Sequence, residues 1–159
     1  MIKVGDIIPN LTLRRASASG PLEINTKDFF AGKRSILFAV PGAFTPVCSS
    51  KHLPGFLNHA QDLHQKDIQT IACLAVNDAF VLQAWAESLQ AHNALIMLAD
   101  GNAAFTQAIG MALDLTGFGM GIRSQRYTMV IQDGRIEHLD VEPASTCHLT
   151  SAEHILEKL

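Results

Sequence analysis

Two largely apolar runs organise the chain. Ser35 to Val40 (SILFAV) stops abruptly at Pro41-Gly42, and residues 68–76 (IQTIACLAV) form a second such run. Apolar segments of this length suit strands buried on both faces of a parallel sheet. A helical stretch is expected from about Pro46 to Gln65. Another, from about Ala79 to Gln90, puts Val81, Leu82, Trp85 and Leu89 on one face. Leu11 to Arg14 and Leu22 to Ile24 read as short strands around the small-residue turn Ala16 to Pro21. Leu95 to Leu98 reads as a strand and Ala103 to Ile109 as a short helix. Tyr127 to Ile131 and Ile136 to Val141 flank Asp133-Gly134, a strong hairpin signal. Ser151 to Leu159 closes as an amphipathic helix, with Ser151 as its N-cap.

The resulting order, β, βα, βα, βα, ββ, α, predicts an α/β protein. Its mixed central sheet is flanked by helices in the thioredoxin-like manner, with a parallel centre and an antiparallel final hairpin. No repeat or linker divides residues 1–159, so one domain is expected. Composition agrees: 48% hydrophobic and 17% charged residues can form a core without metal or disulfide staples. The net charge of −3, without long runs of one sign, argues against a nucleic-acid or membrane-surface partner and for a small soluble one. The start, MIKVGDIIPNLTLRR, has no signal-peptide pattern, and a cytoplasmic location is expected. Three widely spaced cysteines, Cys48, Cys73 and Cys147, do not suit a secreted disulfide framework. They are either buried hydrophobes or working thiols.

The chemistry is expected at PGAFTPVC, residues 41–48, which follows a buried strand and opens a helix. Open α/β sheets hold ligands at that end of their strands. With Thr45 as N-cap, Pro46 falls at N1 and Cys48 in the first turn, where unsatisfied N–H groups favour thiolate over thiol. Pro54 should loosen the same turns, because its ring clashes with the carbonyl of Ser50. Ionisation alone is not enough: a thiol of pKa about 8.5 is roughly 3% thiolate at pH 7, so full ionisation gains only about 30-fold. Fixed donors must also meet the charge that develops on a leaving oxygen. The Thr45 hydroxyl, the Cys48 N–H and an arginine are the candidates. Arg123 and Arg126, in GIRSQRYTMVI, both qualify; Arg126 is favoured because it immediately precedes a strand.

PGAFTPVCSSKHLPGF resembles the active-site segment of the peroxiredoxins, specifically the peroxiredoxin 5 or type II group. The family motif of proline, three residues, threonine, two residues and cysteine falls on Pro41, Thr45 and Cys48. The resemblance extends through residues 72–85 and 123–143, and so covers most of the chain. It implies a homodimeric thiol peroxidase that reduces hydrogen peroxide and organic hydroperoxides and needs no cofactor. Cys48 would become the sulfenic acid, Thr45 and Arg126 would bind the peroxide, and Pro41 would shield the oxidised sulphur. Phe118 would line an apolar rim at the mouth of the site. Cys147 stands where atypical two-cysteine members carry a resolving cysteine, and Cys73 resembles the second cysteine of plant members. If neither resolves, glutathione or glutaredoxin must meet the sulfenic acid directly; thioredoxin is the other reductant implied.

Rival readings find less support. A disulfide oxidoreductase needs C-x-x-C, but Lys51 follows Cys48 by three and Thr45 precedes it by three. A non-catalytic thioredoxin-like binding or chaperone module has no need of Thr45, Cys48 and Arg126 together. Cys48 and His52 at i, i+4, with His59 and His64 beyond, lack the second ligand pair of a zinc site, so no metal is expected. Gly117 to Gly121 departs from a dinucleotide fingerprint, because Ile122 stands at its last position; it reads as a flexible loop.

Overall fold

The computed structural model describes residues 1–159. Nine strands form two sheets: β1 (Thr12–Arg15), β2 (Leu22–Asn25), β3 (Arg34–Val40), β4 (Thr70–Ala75), β5 (Ile96–Ala99), β6 (Ala112–Asp114), β7 (Ile122–Ser124), β8 (Arg126–Gln132) and β9 (Arg135–Glu142). The helices are α1 (Thr26–Phe30), α2 (Leu53–Asn58), α3 (Ala60–Gln65), α4 (Ala79–Ser88), α5 (Ala104–Ala108) and α6 (Ala152–Lys158). The main sheet has the order β2-β1-β5-β4-β3-β8-β9. Its β5-β4-β3 centre is parallel and both flanks are antiparallel. This is the mixed α/β sheet that the apolar pattern predicts.

Strand parity explains why β3 is apolar from Ile36 to Val40 and β4 from Ile71 to Ala75. Ile36, Phe38 and Val40 face one core with Ile71, Cys73 and Ala75, covered by α2, α3, α4 and α6. Leu37 and Ala39 face the other with Ala72 and Leu74, against Phe30 of α1 and Phe105 of α5. A strand buried on both sides has no position for a polar alternation.

Several local expectations are corrected. The stretch expected as one helix from 46 to 65 is broken: it begins at Pro46, widens into a π-helical turn over Cys48–His52, and changes from α2 to α3 at His59. Helix α1 follows β2 directly, capped by the Asn25 side chain, which accepts the Asp28 N–H at 3.2 Å; at five residues it is too short to show a period. The expected glycine loop at 117–121 is a loop, but it closes a small two-stranded ribbon outside the expected elements, β6 paired with β7, and it begins in a 3₁₀ turn at Thr116–Phe118. Gly119 and Gly121 make that closure with φ of +73° and +66°, a region that side chains with a Cβ disfavour. Ribbons of three-residue strands carry too little pattern to be read from sequence.

The β8–β9 hairpin turns at Asp133-Gly134, both with positive φ (+49° and +79°), as an Asp-Gly two-residue turn requires. Its register against β3 decides where Arg126 stands. Ala39 pairs with Tyr127, so Arg126 arrives beside the last residue of β3. Tyr127 and Met129 belong to the second core and Val130 to the first, which by alternation sends Arg126 to the face covered by the helix after β3.

Candidate active site

The loop after β3 is tightly held. Gly42 has no room for a side chain: a Cβ there would lie 3.1 Å from Arg123 Nη1 and 3.3 Å from Thr45 Cγ2. The Ala43 N–H donates to Asn77 Oδ1 at 2.9 Å. Exposed Phe44 sits at φ +65°, a strained conformation for an aromatic residue. Thr45 stands at the N-cap position, its carbonyl accepting the Ser49 N–H at 2.9 Å. Its hydroxyl does not accept from the helix, however. It donates to Gly42 O at 2.7 Å, which leaves its lone pairs directed elsewhere.

Cys48 opens the π-helical turn, its carbonyl accepting the N–H of Leu53, five residues on. Pro54 is the physical cause: it lacks the N–H that Ser50 would use in an α-helix, and its ring excludes that carbonyl. The Cys48 side chain is fully buried, and Arg126 Nη2 donates to its Sγ at 3.1 Å. Arg126 is itself 1% exposed. Its other bonds go to Ala144 O, from Nε at 3.2 Å and Nη2 at 2.8 Å, and to His52 Nδ1, from Nη1 at 2.8 Å. None of these partners is a carboxylate. A charge buried among neutral acceptors is costly, and it stands here in contact with the one group whose charge changes in thiol chemistry.

His52 is the site residue that sequence reasoning missed. Its Nε2 lies 3.0 Å from Thr150 O. A carbonyl only accepts, so Nε2 carries the proton and Nδ1 is left to accept from Arg126. Burial, reinforced by the Arg126 charge, pushes its pKa down to about 3, so the ring is neutral at ordinary pH. The i, i+4 spacing from Cys48 was the available signal, but spacing alone does not show that the imidazole receives an arginine. His59 turns to Asp62 and Glu153, and His64 to the Ile68 carbonyl, both away from Cys48.

The remaining sequence-predicted residues fall around this centre. Pro41, Thr45, Leu113, Leu115, Phe118 and Arg126 line an open cavity of about 560 Å³, so the β6–β7 ribbon supplies an apolar wall. Phe118 is 81% exposed at its rim. Arg123 does not reach the sulphur: its Nε donates to Met120 O at 2.9 Å and its Nη1 to Val76 O at 3.2 Å. All three cysteines are free. Cys73 is fully buried in the core that holds Cys48. Burial, then the nearness of Cys48, drives its pKa well above the ordinary thiol range, with Arg126 opposing. Cys147 is half-buried; burial raises its pKa, against the lowering influence of Arg126 and Thr150.

Fold and site together define a class, thioredoxin-fold proteins with a buried thiol at the start of a helix, held by a guanidinium. Comparisons with known proteins narrow this. The Redoxin family model matches residues 3–156. The chain is 45% identical over 163 residues to the chloroplastic Peroxiredoxin-2E-2 of Oryza sativa, covering 99% of this chain and 72% of that protein. Among solved structures, reduced Prx3 of Vibrio vulnificus in complex with hydrogen peroxide superposes with a TM-score of 0.94 at 46% identity, covering 99% of both chains. Peroxiredoxin 5 of Alvinella pompejana superposes with a TM-score of 0.87 at 36% identity, covering 99% of this chain and 97% of that one. The chain therefore belongs to the Redoxin family and, within it, to the type II peroxiredoxins. It is a thiol-dependent peroxidase, an antioxidant oxidoreductase that takes a peroxide as substrate and a thiol as reductant.

Proposed function

We propose that Cys48 is the peroxidatic cysteine and that it reduces hydrogen peroxide and organic hydroperoxides. The observation that carries this reading is the 3.1 Å bond from Arg126 to Sγ. In the first half-reaction the Cys48 thiolate attacks one peroxide oxygen. The S–O bond forms, the O–O bond breaks, and the leaving oxygen takes up the proton released when the thiol ionised, giving water or an alcohol, while sulphur becomes the sulfenic acid. Negative charge grows on the leaving oxygen. Arg126 is the fixed donor for it, an electrostatic contribution made without reorganisation; the Thr45 hydroxyl, whose one proton goes to Gly42 O, is left to accept from the peroxide O–H and so to orient it. His52 is a positioning residue, since its neutral ring holds Nη1 of Arg126 without competing for the charge. Pro41, buried at the head of the loop, shields the oxidised sulphur.

For the second half-reaction we favour Cys147. It is half-buried, and its loop touches Arg126 through Ala144. Its thiol attacks the sulfenic sulphur: an S–S bond forms, the S–O bond breaks, and hydroxide leaves with the thiol proton as water. Thioredoxin would then reduce the internal disulfide. A second route, glutathione with glutaredoxin acting on the sulfenic acid from outside, serves if the loop stays closed. Full burial and a raised pKa make Cys73 the weaker resolving candidate. Exposed Phe44 and Phe118 near the site, with Phe80 exposed beyond β4, support a homodimer, and three free thiols suit a reducing cytoplasm.

Mass spectrometry after one equivalent of peroxide tests the scheme. An internal Cys48–Cys147 disulfide is the expected product, and its absence in favour of a glutathione adduct selects the second route. Cys48→Ser abolishes peroxide turnover while the circular dichroism spectrum is unchanged; retained turnover excludes Cys48.

A further inference from the structure

Glu142 ends β9 directly opposite Arg126 in the β8–β9 register. It is only 7% exposed, yet no cationic side chain bonds to it. Its carboxylate is instead spent on one segment, 146–150. It accepts the His148 N–H at 2.8 and 3.0 Å, the Thr150 N–H at 2.9 Å, and the hydroxyls of Thr146, at 3.2 Å, and Thr150. Burial raises its pKa, but the bonds from Thr150, His148 and Thr146 outweigh burial and hold it below the ordinary value, so it is anionic in the working range.

The loop from 143 to 150, which contains that segment, supplies carbonyls to the active site. Ala144 O accepts two bonds from Arg126. Thr150 O accepts from His52 Nε2 at 3.0 Å and from Thr128 Oγ1 at 2.7 Å. Cys147 lies between those two points. One buried carboxylate thus fixes the residue that presents the Thr150 carbonyl and closes the loop that carries Ala144, and it also holds the residues on either side of the third cysteine.

We infer that Glu142 is a positioning residue that clasps residues 143–150, presenting the Ala144 and Thr150 carbonyls to Arg126 and His52 and restraining Cys147 until the clasp opens. The positioning role needs only the peroxidase activity; the consequence for resolution rests on Cys147 being the resolving thiol. The two half-reactions then make opposite demands. Peroxide reduction needs the clasp shut, so that Arg126 is aimed, whereas the S–S bond to Cys48 needs it open.

Glu142→Gln tests this, because it keeps the shape and removes the charge that four donors share. The peroxide rate constant, kcat/KM for hydrogen peroxide, falls about tenfold, the cost of weakening one hydrogen bond to a charged group. In a Cys48→Ser background, alkylation of Cys147 by iodoacetamide, followed peptide by peptide, rises severalfold while Cys73 stays protected. An unchanged peroxide rate, or Cys147 no more reactive than before, overturns the inference. So does alkylation of Cys73 alongside Cys147, which would mean general unfolding rather than a local clasp. Neither arm requires Cys147 to resolve. Cys147→Ser with unchanged thioredoxin-supported turnover would remove the resolving role and leave the clasp standing on the other two results.

Discussion

The start of β8 and the ribbon strand β7 each carry an arginine, three residues apart, and the two have opposite fates. Arg126 is paired into the seven-stranded sheet beside the end of β3, faces the core and donates to Cys48. Arg123 belongs to the two-stranded ribbon, stays half-exposed, lies against Gly42 and bonds to the carbonyls of Met120 and Val76. One aims a charge at the sulphur. The other fastens the apolar wall of the cavity to the end of β4 and the loop that carries Thr45. Identical chemistry is assigned to different work by strand register and parity alone.

This contrast can be broken by substitution. Arg126→Ala removes a transition-state donor and should lower kcat/KM for hydrogen peroxide about 100-fold or more; Arg126→Lys should recover little, because one ammonium cannot reproduce the fork that meets sulphur, imidazole and carbonyl together. If Arg123→Ala does equal damage, the division of labour is wrong. Next in size is His52→Gln, for which about a tenfold loss in the same rate constant is expected, the cost of one bond to a charged donor.

His52 also gives a pH dependence of stability. Its folded pKa, about 3, lies below the ordinary 6.5. Between those values the unfolded chain binds the extra proton, so its contribution is complete above about pH 6.5 and is lost as pH falls toward 3. The full loss is on the order of 5 kcal/mol. Urea midpoints measured at pH 7 and pH 4.5 should diverge in the wild type and converge in His52→Gln; equal divergence in both would assign the effect to other groups. The smallest expected change belongs to Arg123→Ala: a few-fold loss with cumene hydroperoxide and less than that with hydrogen peroxide, since only the bulkier substrate needs the ribbon as a wall. Equal losses with both would make Arg123 a general structural support.

Much of this architecture is legible in the amino-acid pattern, for a definite reason. The runs at 35–40 and 68–76 are largely apolar because both faces of β3 and β4 are covered, and burial on both sides leaves its mark on every residue from Ile36 to Val40 and from Ile71 to Ala75. The hairpin at Asp133-Gly134 is equally plain, since its turn demands positive φ at both positions. Thr45 and Cys48 are visible together because the start of a helix links them locally. Other features leave weaker traces: α1 and the β6–β7 ribbon are too short to show a period, and the roles of His52 and Glu142 depend on partners 74 and 8 residues away, Arg126 and Thr150.

Local composition thus dictated the strands, their burial, the turn residues and a thiol at a helix start, because each follows from interactions within a few positions of the chain. Long-range pairing assigned the rest. Which arginine meets the sulphur is set by the register of β8 against β3, and the register of β9 against β8 sets Glu142 opposite that arginine. A register is a property of two strands at once, and it is written in neither of them alone.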